Sequence, residues 1–233
     1  MYKILKIFLF FILITSSLFS TTLKDRLLKA EKGDFIVTLQ NNIYSLLLIQ
    51  DINKNSIQIA EISLPKDKKT LPWRKWVLQD APGNLAWNIY EIDLEKNKLI
   101  KCYSISRDCY LGASDQDNFL TRLLTLPLTS ISEERRKKIG PAPLNEDKDH
   151  RAIWNPPMIV DGMAKKTDFI VFQTFWPKDD SDLSGKILDL YFDKNGTFPF
   201  PFWIQVTTGP LDIMLKIIDS GKSLVSLKTF PKN

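Results

Sequence analysis

Few residue types in this chain can do chemistry, and they are scattered. The single histidine, His150, closes the run Asn145, Glu146, Asp147, Lys148, Asp149, His150. A hydrolase built on it would use the imidazole as general base, oriented by Asp147 or Asp149, and would need a nucleophile on a strained turn. No G-x-S-x-G occurs in the sequence. A metal site would need further ligands from elsewhere, since neighbouring loop carboxylates are ordinarily solvated. The run Asp51, Ile52, Asn53, Lys54, Asn55 opens like a calcium loop. Ser56 then stands where the sixth-position glycine belongs, and Ile62 where the bidentate glutamate belongs. A hairpin turn is the better reading. Asp179, Asp180, Ser181 and Asp182 read as a solvated loop with at most loose calcium affinity. The nine glycines include no phosphate-cradling arrangement, which argues against nucleotide enzymes. Asn195-Gly196-Thr197 fits a glycosylation acceptor but reads as a tight turn. These residues predict a protein that is not an enzyme and uses neither cofactor nor metal.

Two cysteines remain, Cys102 and Cys109. Their spacing is too wide for a C-x-x-C redox pair, and one distant histidine makes a poor zinc partner. A disulfide suits an oxidising compartment, but a short loop with Cys102 in a strand and Cys109 just beyond it strains the geometry. Both states stay open at this level.

Aromatic residues carry the remaining signal. Phe198, Phe200, Phe202 and Trp203 place four aromatics in six residues, with Pro199 and Pro201 between them. Trp73, Trp76, Trp87, Trp154 and Trp176 complete the tryptophans. Either they fill a core, or they line an apolar cavity under a strongly curved sheet, where a lipid or acyl chain would sit.

The elements that must position these residues follow from composition and patterning. The chain has 233 residues, 44% hydrophobic and 25% charged, so it can bury a core and is neither disordered nor multispanning. A net charge of +5, spread evenly, argues against nucleic-acid binding. At the N-terminus, Lys3 and Lys6 precede an apolar run and a small polar exit through Ser16, Ser17, Ser20 and Thr21. That is the layout of a secretory signal peptide, with cleavage expected after Ser20. The apolar stretch 7–19 is short of the ~20 residues that span a bilayer. An exported protein is expected, periplasmic or secreted, with no lipid-anchor cysteine near the cleavage point.

Beyond residue 20 the pattern predicts a single domain over 21–233. Residues 23–32 read as an amphipathic helix, capped by Thr22 with Asp25 in the capping-box position and stopped by Gly33. Strands are predicted over 34–40, 43–52, 56–64, 73–77, 87–94 and 99–105. Residues 118–124 and 130–139 read as helices of a helical insertion over 118–140. The basic run Arg135, Arg136, Lys137, Lys138 is then a solvated helix end or a binding patch. Residues 141–166 read as a long loop, suited to a lid or wrapping segment. Strands return over 168–176, 186–193, 202–207, 211–218 and 223–227. The class is α+β: an antiparallel sheet, an N-terminal helix and a helical insertion.

The stretch 185–206 (GKILDLYFDKNGTFPFPFWIQV) resembles the C-terminal hairpin of LolA/LolB-like lipoprotein carriers, in which an acidic turn and a proline-aromatic step lead into the returning strand. The order of parts is also similar to theirs. The resemblance implies a half-open β-barrel closed by helices, holding acyl chains in an apolar cavity without cofactor or covalent catalysis. Under this expectation Phe35, Val37, Trp87, Tyr191, Phe202, Trp203, Leu211, Ile213 and Leu215 line the cavity. The partner is a lipid or lipoprotein acyl chain, with a membrane-associated protein as a further one. Burial of the chain drives uptake at roughly 0.8 kcal/mol per CH₂. Two other readings compete: an exported interaction protein that works through a surface patch, and a hydrolase using His150.

Overall fold

Short apolar runs rich in Ile, Val and aromatics, broken every few residues by Asn, Asp or Gly, make this an antiparallel β chain. The structure is a computed structural model that describes residues 21–112, 119–141, 149–206 and 214–231. It opens with β1 (Thr21–Thr22), α1 (Leu23–Leu27), β2 (Phe35–Gln40), β3 (Ile43–Ile52) and β4 (Ser56–Pro65). Next come α2 (Trp73–Leu78), β5 (Ala86–Asp93), β6 (Lys98–Ser104), β7 (Cys109–Leu111), α3 (Phe119–Thr125) and β8 (Pro127–Ser130). The last part holds β9 (Met158–Val160), β10 (Met163–Lys165), β11 (Phe169–Phe175), β12 (Ile187–Asp193), β13 (Trp203–Val206) and β14 (Met214–Gly221). Among the described residues twelve strands form one sheet in the order β1-β8-β11-β12-β13-β14-β2-β3-β4-β5-β6-β7, and β9 and β10 form a separate hairpin.

Over β2–β5 the sheet is buried on both faces. In β4, Ile57 and Ile59 pack into one core, while Ala60, Ile62 and Leu64 pack into a second. In β5 the order is reversed: Trp87 and Ile89 enter the second core, Tyr90 and Ile92 the first. The register pairs Ile59 with Tyr90 and Ile62 with Trp87, so alternation is unbroken. Each strand is apolar on one face at one end and on the opposite face at the other. α1 and α3 cover the first core; α2 and the C-terminal tail, through Leu224, cover the second.

This architecture corrects the expected fold class. Among the described residues the protein is mostly antiparallel β-sheet, 44% strand against 12% helix, in one large open sheet. It is not a strongly curved half-barrel with a helical insertion. A half-barrel keeps one concave face for its cavity, whereas here both faces are packed over β2–β5. Of the predicted insertion, α3 is helical, but 130–139 is not. That stretch holds only a 3₁₀ turn, Glu133–Arg135, and then pairs with 152–154: the Ile139 amide donates to the Ala152 carbonyl (2.9 Å) and the Trp154 amide to the Lys137 carbonyl (2.8 Å). The run Glu133, Glu134, Arg135, Arg136, Lys137, Lys138 has no apolar stripe to bury, so helical charge placement alone does not hold it.

Other elements fall close to expectation. β3 has the predicted bounds, and Thr22 caps α1 through a full capping box with Asp25. α1 is shorter than predicted, and the chain turns at Gly33 with φ of 93°. The stretch 73–77, predicted as a strand, is helix α2, because Trp73, Trp76 and Val77 lie at helical spacing and all three are buried. The stretch 223–227 forms no strand. Within 141–166, residues 142–148 lie outside the described residues, and the rest holds the β9–β10 hairpin. Cys102 and Cys109 are free, one buried and one exposed. β6 and β7 pair Cys102 with Leu111 and Ser104 with Cys109, so the two sit at diagonal rather than directly opposed positions.

Candidate functional site

The residues expected to line one cavity do not meet. Phe35, Val37 and Trp87 belong to the second core; Tyr191, Phe202 and Trp203 belong to the first. All six are buried, and Leu215 packs half-buried against the first core. Leu211 and Ile213 lie outside the described residues. Phe198 and Phe200, on the long connection between β12 and β13, turn inward as well, and Phe198 and Phe202 meet edge to face at 5.6 Å. The aromatic run of the sequence is core.

The polar motifs are spent on structure. Asn53 Oδ1 accepts from the Asn55 and Ser56 amides (2.9 and 2.8 Å) and so closes the β3–β4 hairpin. Asp179 accepts from the Trp176 indole (2.9 Å), from the Ser181 hydroxyl (2.6 Å) and from Arg122 of α3. The Ser181 hydrogen bond holds the Asp179 carboxyl below its usual range. Its loop is therefore a clamp on α3. Asp193 accepts from the Thr197 and Phe198 amides and shapes the turn at Gly196. His150 is exposed, and its neighbour Asp149 is bound to Lys138 and Arg151 at 3.1 and 2.9 Å. Asp147 lies outside the described residues. No group of metal-ligating side chains gathers among the described residues.

A cleft of about 550 Å³ opens where α2, the preceding loop, β2, β14 and the β9–β10 turn converge. Its floor is apolar: Phe35, Leu71 and Trp73. Its rim carries Lys69, Arg74, Asp161 and Asp219. Trp73 is fixed by edge-to-face contacts with Tyr44 (5.1 Å) and Trp76 (5.8 Å). Asp161 and Gly162 form a two-residue hairpin loop with φ of 50° and 77°, the left-handed pair of a type I′ turn. The Asp161 amide donates to the Ser220 carbonyl (2.8 Å), and the Gly162 amide to the Asp219 carboxylate (3.0 Å). Arg74 holds the turn from the other side with a forked pair to Asp161, Nη2 to Oδ1 at 2.9 Å and to Oδ2 at 3.2 Å. Gly221 lets these parts close. A Cβ there would fall 2.3 Å from Phe35 Cε1 and 2.6 Å from Asp161 Oδ1.

Of this cleft, sequence reasoning singled out Phe35 as a lining residue and Trp73 only as one of the aromatics that could be core or cavity. The missed signal was Asp161-Gly162 flanked by Ile159, Val160 and Met163, which is hairpin chemistry set inside a stretch read as loop. Lys69 and Arg74 carry no sequence pattern; α2 brings them to the rim.

The fold and cleft define an open antiparallel sheet with two filled cores and a mixed-charge surface cleft. A family model described as CT021 protein matches residues 45–166, and the chain belongs to that family. The structure is similar to that of the hypothetical protein CT021 from Chlamydia trachomatis, with a TM-score of 0.64 at 19% identity, over 92% of this chain and 99% of that one. At that identity the likeness speaks to the fold. No curated protein matches the chain.

Proposed function

We propose that this is an exported, non-enzymatic interaction protein that engages a polypeptide partner at the Arg74–Asp161 cleft. One observation carries the reading: a forked ion pair, 39% and 45% exposed, set over an aromatic floor in a cleft of about 550 Å³. An exposed pair of this kind contributes little to stability, so a ligand can compete for either partner at small cost. The rim carries two cations and two carboxylates, which suits a polypeptide with charges of both signs better than a polyanion. Met163, next to the turn and 64% exposed, adds an apolar flank. The N-terminal run through Ser20 supports export. The acyl-carrier reading, and with it the LolA/LolB-like resemblance, asks for one interior cavity. Six of its nine residues instead fill two separate cores, and the family comparison lends it no support.

The test is capture from the native exported compartment with wild type and Arg74→Glu, followed by native mass spectrometry before and after organic extraction. A partner held by the wild type and weakened roughly ten-fold in the variant is the expected result. A stoichiometric acyl lipid on the wild type, with no partner sensitive to Arg74, would overturn it.

A further inference from the structure

Among the described residues, Arg26 is a charged side chain with a buried donor left unpartnered beside an open cleft. It sits half-buried on α1, with its guanidinium 4.0 Å from the Phe192 ring centroid and 5.0 Å from that of Phe172. Its Nε is buried with no hydrogen-bond partner, and no carboxylate among the described residues forms an ion pair with it. Asp193 favours its charge from a distance, but both Asp193 oxygens already accept from the Thr197 and Phe198 amides. Burial pulls the Arg26 pKa down from its ordinary value, yet a guanidinium stays charged. A partly desolvated cation without an ion-pair partner costs free energy that an incoming anion can offset.

The space in front of Arg26 fits such a ligand. It opens into a cleft of about 430 Å³ between α1 and the turn that follows β12. Lys29 stands on the same wall as Arg26, and Lys194 faces them from the turn; both lysines are exposed. The one carboxylate of the lining, Asp25, is engaged in the capping box: its Oδ2 accepts from the Thr22 amide (2.7 Å), the Thr22 hydroxyl (2.9 Å) and the Thr21 hydroxyl (3.4 Å). Phe172, Phe198 and Pro199 form an apolar wall beside the three cations.

We infer that this cleft is a binding site for a phosphate group carried on an apolar body. Arg26 offers a planar fork pre-positioned by stacking, which matches phosphate oxygens. Lys29 and Lys194 supply the charge that favours a dianion over a carboxylate. The shared chemistry is the phosphate, which a lipid headgroup or a free phosphomonoester can supply. The wall of Phe172, Phe198 and Pro199 favours a ligand with apolar substituents. The site is separate from the Arg74–Asp161 cleft and shares no lining residue with it.

Calorimetric titration of the purified protein with dihexanoyl phosphatidic acid, and separately with inorganic phosphate, tests the site. Both are expected to bind, the lipid more tightly, with affinity falling as salt is raised. Arg26→Gln is expected to weaken both by roughly ten-fold or more, the loss of charge-assisted hydrogen bonds. The double change of the exposed pair, Lys29→Ala with Lys194→Ala, leaves the packed aromatics alone. It is expected to weaken binding roughly five-fold and to flatten the salt dependence. Equal affinity for the two ligands would keep the phosphate site and remove the lipid source. Absence of binding of either ligand to the wild type at millimolar concentration, or unchanged affinity in both variants, would overturn the inference.

Discussion

Cys102 and Cys109 differ sharply in environment. Cys102 lies buried on β6. Burial first, and the Glu61 charge second, push its thiol up to about 11. Cys109 is exposed on β7, at the edge of the sheet. A raised thiol pKa means the neutral, unreactive form persists through mildly alkaline solution, since only the thiolate attacks. Ellman's reagent is expected to titrate one thiol per chain in the native state, with the fast phase lost in Cys109→Ser. The second thiol should appear only in denaturant, and raising the pH to about 9 should not reveal it. Two fast thiols, or none, would contradict this arrangement.

Among the elements, α1 is the clearest case of local sequence deciding local structure. Five residues are too few for a helix to hold itself, so its ends and its packing must do so. Thr22 accepts from the Asp25 amide (3.3 Å) while Asp25 accepts from the Thr22 amide, and Leu23 and Leu27 are fully buried in the first core. Thr22→Ala is expected to cost about 1 kcal/mol, read as a lower midpoint in urea with an unchanged slope. α2 shows the opposite case. Trp73, Arg74, Lys75, Trp76, Val77 and Leu78 mix strand-prone aromatics with a helical spacing. The spacing wins because Trp73, Trp76 and Val77 then reach one core together. This outcome brings Arg74 to the cleft rim, so the site depends on the element that sequence reading got wrong.

At the level of the molecule, the two cores share their strands. β4 and β5 each contribute to both, so neither core can open without unpairing residues of the other. Ile59→Ala, in the first core, and Ile62→Ala, in the second, are each expected to cost about 2–5 kcal/mol. In both variants the far-UV and near-UV transitions should coincide, as they do when a domain unfolds as one unit. Separate transitions, one for each core, would show that the sheet is divided into independent halves.

The sequence by itself determined the local features: the capping box at Thr22 and Asp25, the β2–β3, β3–β4 and β5–β6 hairpins, and the turn at Gly33. Each rests on contacts within a few residues, where patterning and turn chemistry act directly. Tertiary structure alone decided that the sheet stays open with both faces packed over β2–β5, which separates Phe35 and Trp87 from Tyr191 and Trp203. Alternation says that one side of a strand is apolar; it does not say which layer covers that side, or that cover changes face midway along β4 and β5. The two clefts were illegible for the same reason. Arg74 meets Asp161, and Arg26 faces Lys194, only because strands distant in sequence lie side by side in the sheet, and no spacing along the chain encodes that approach.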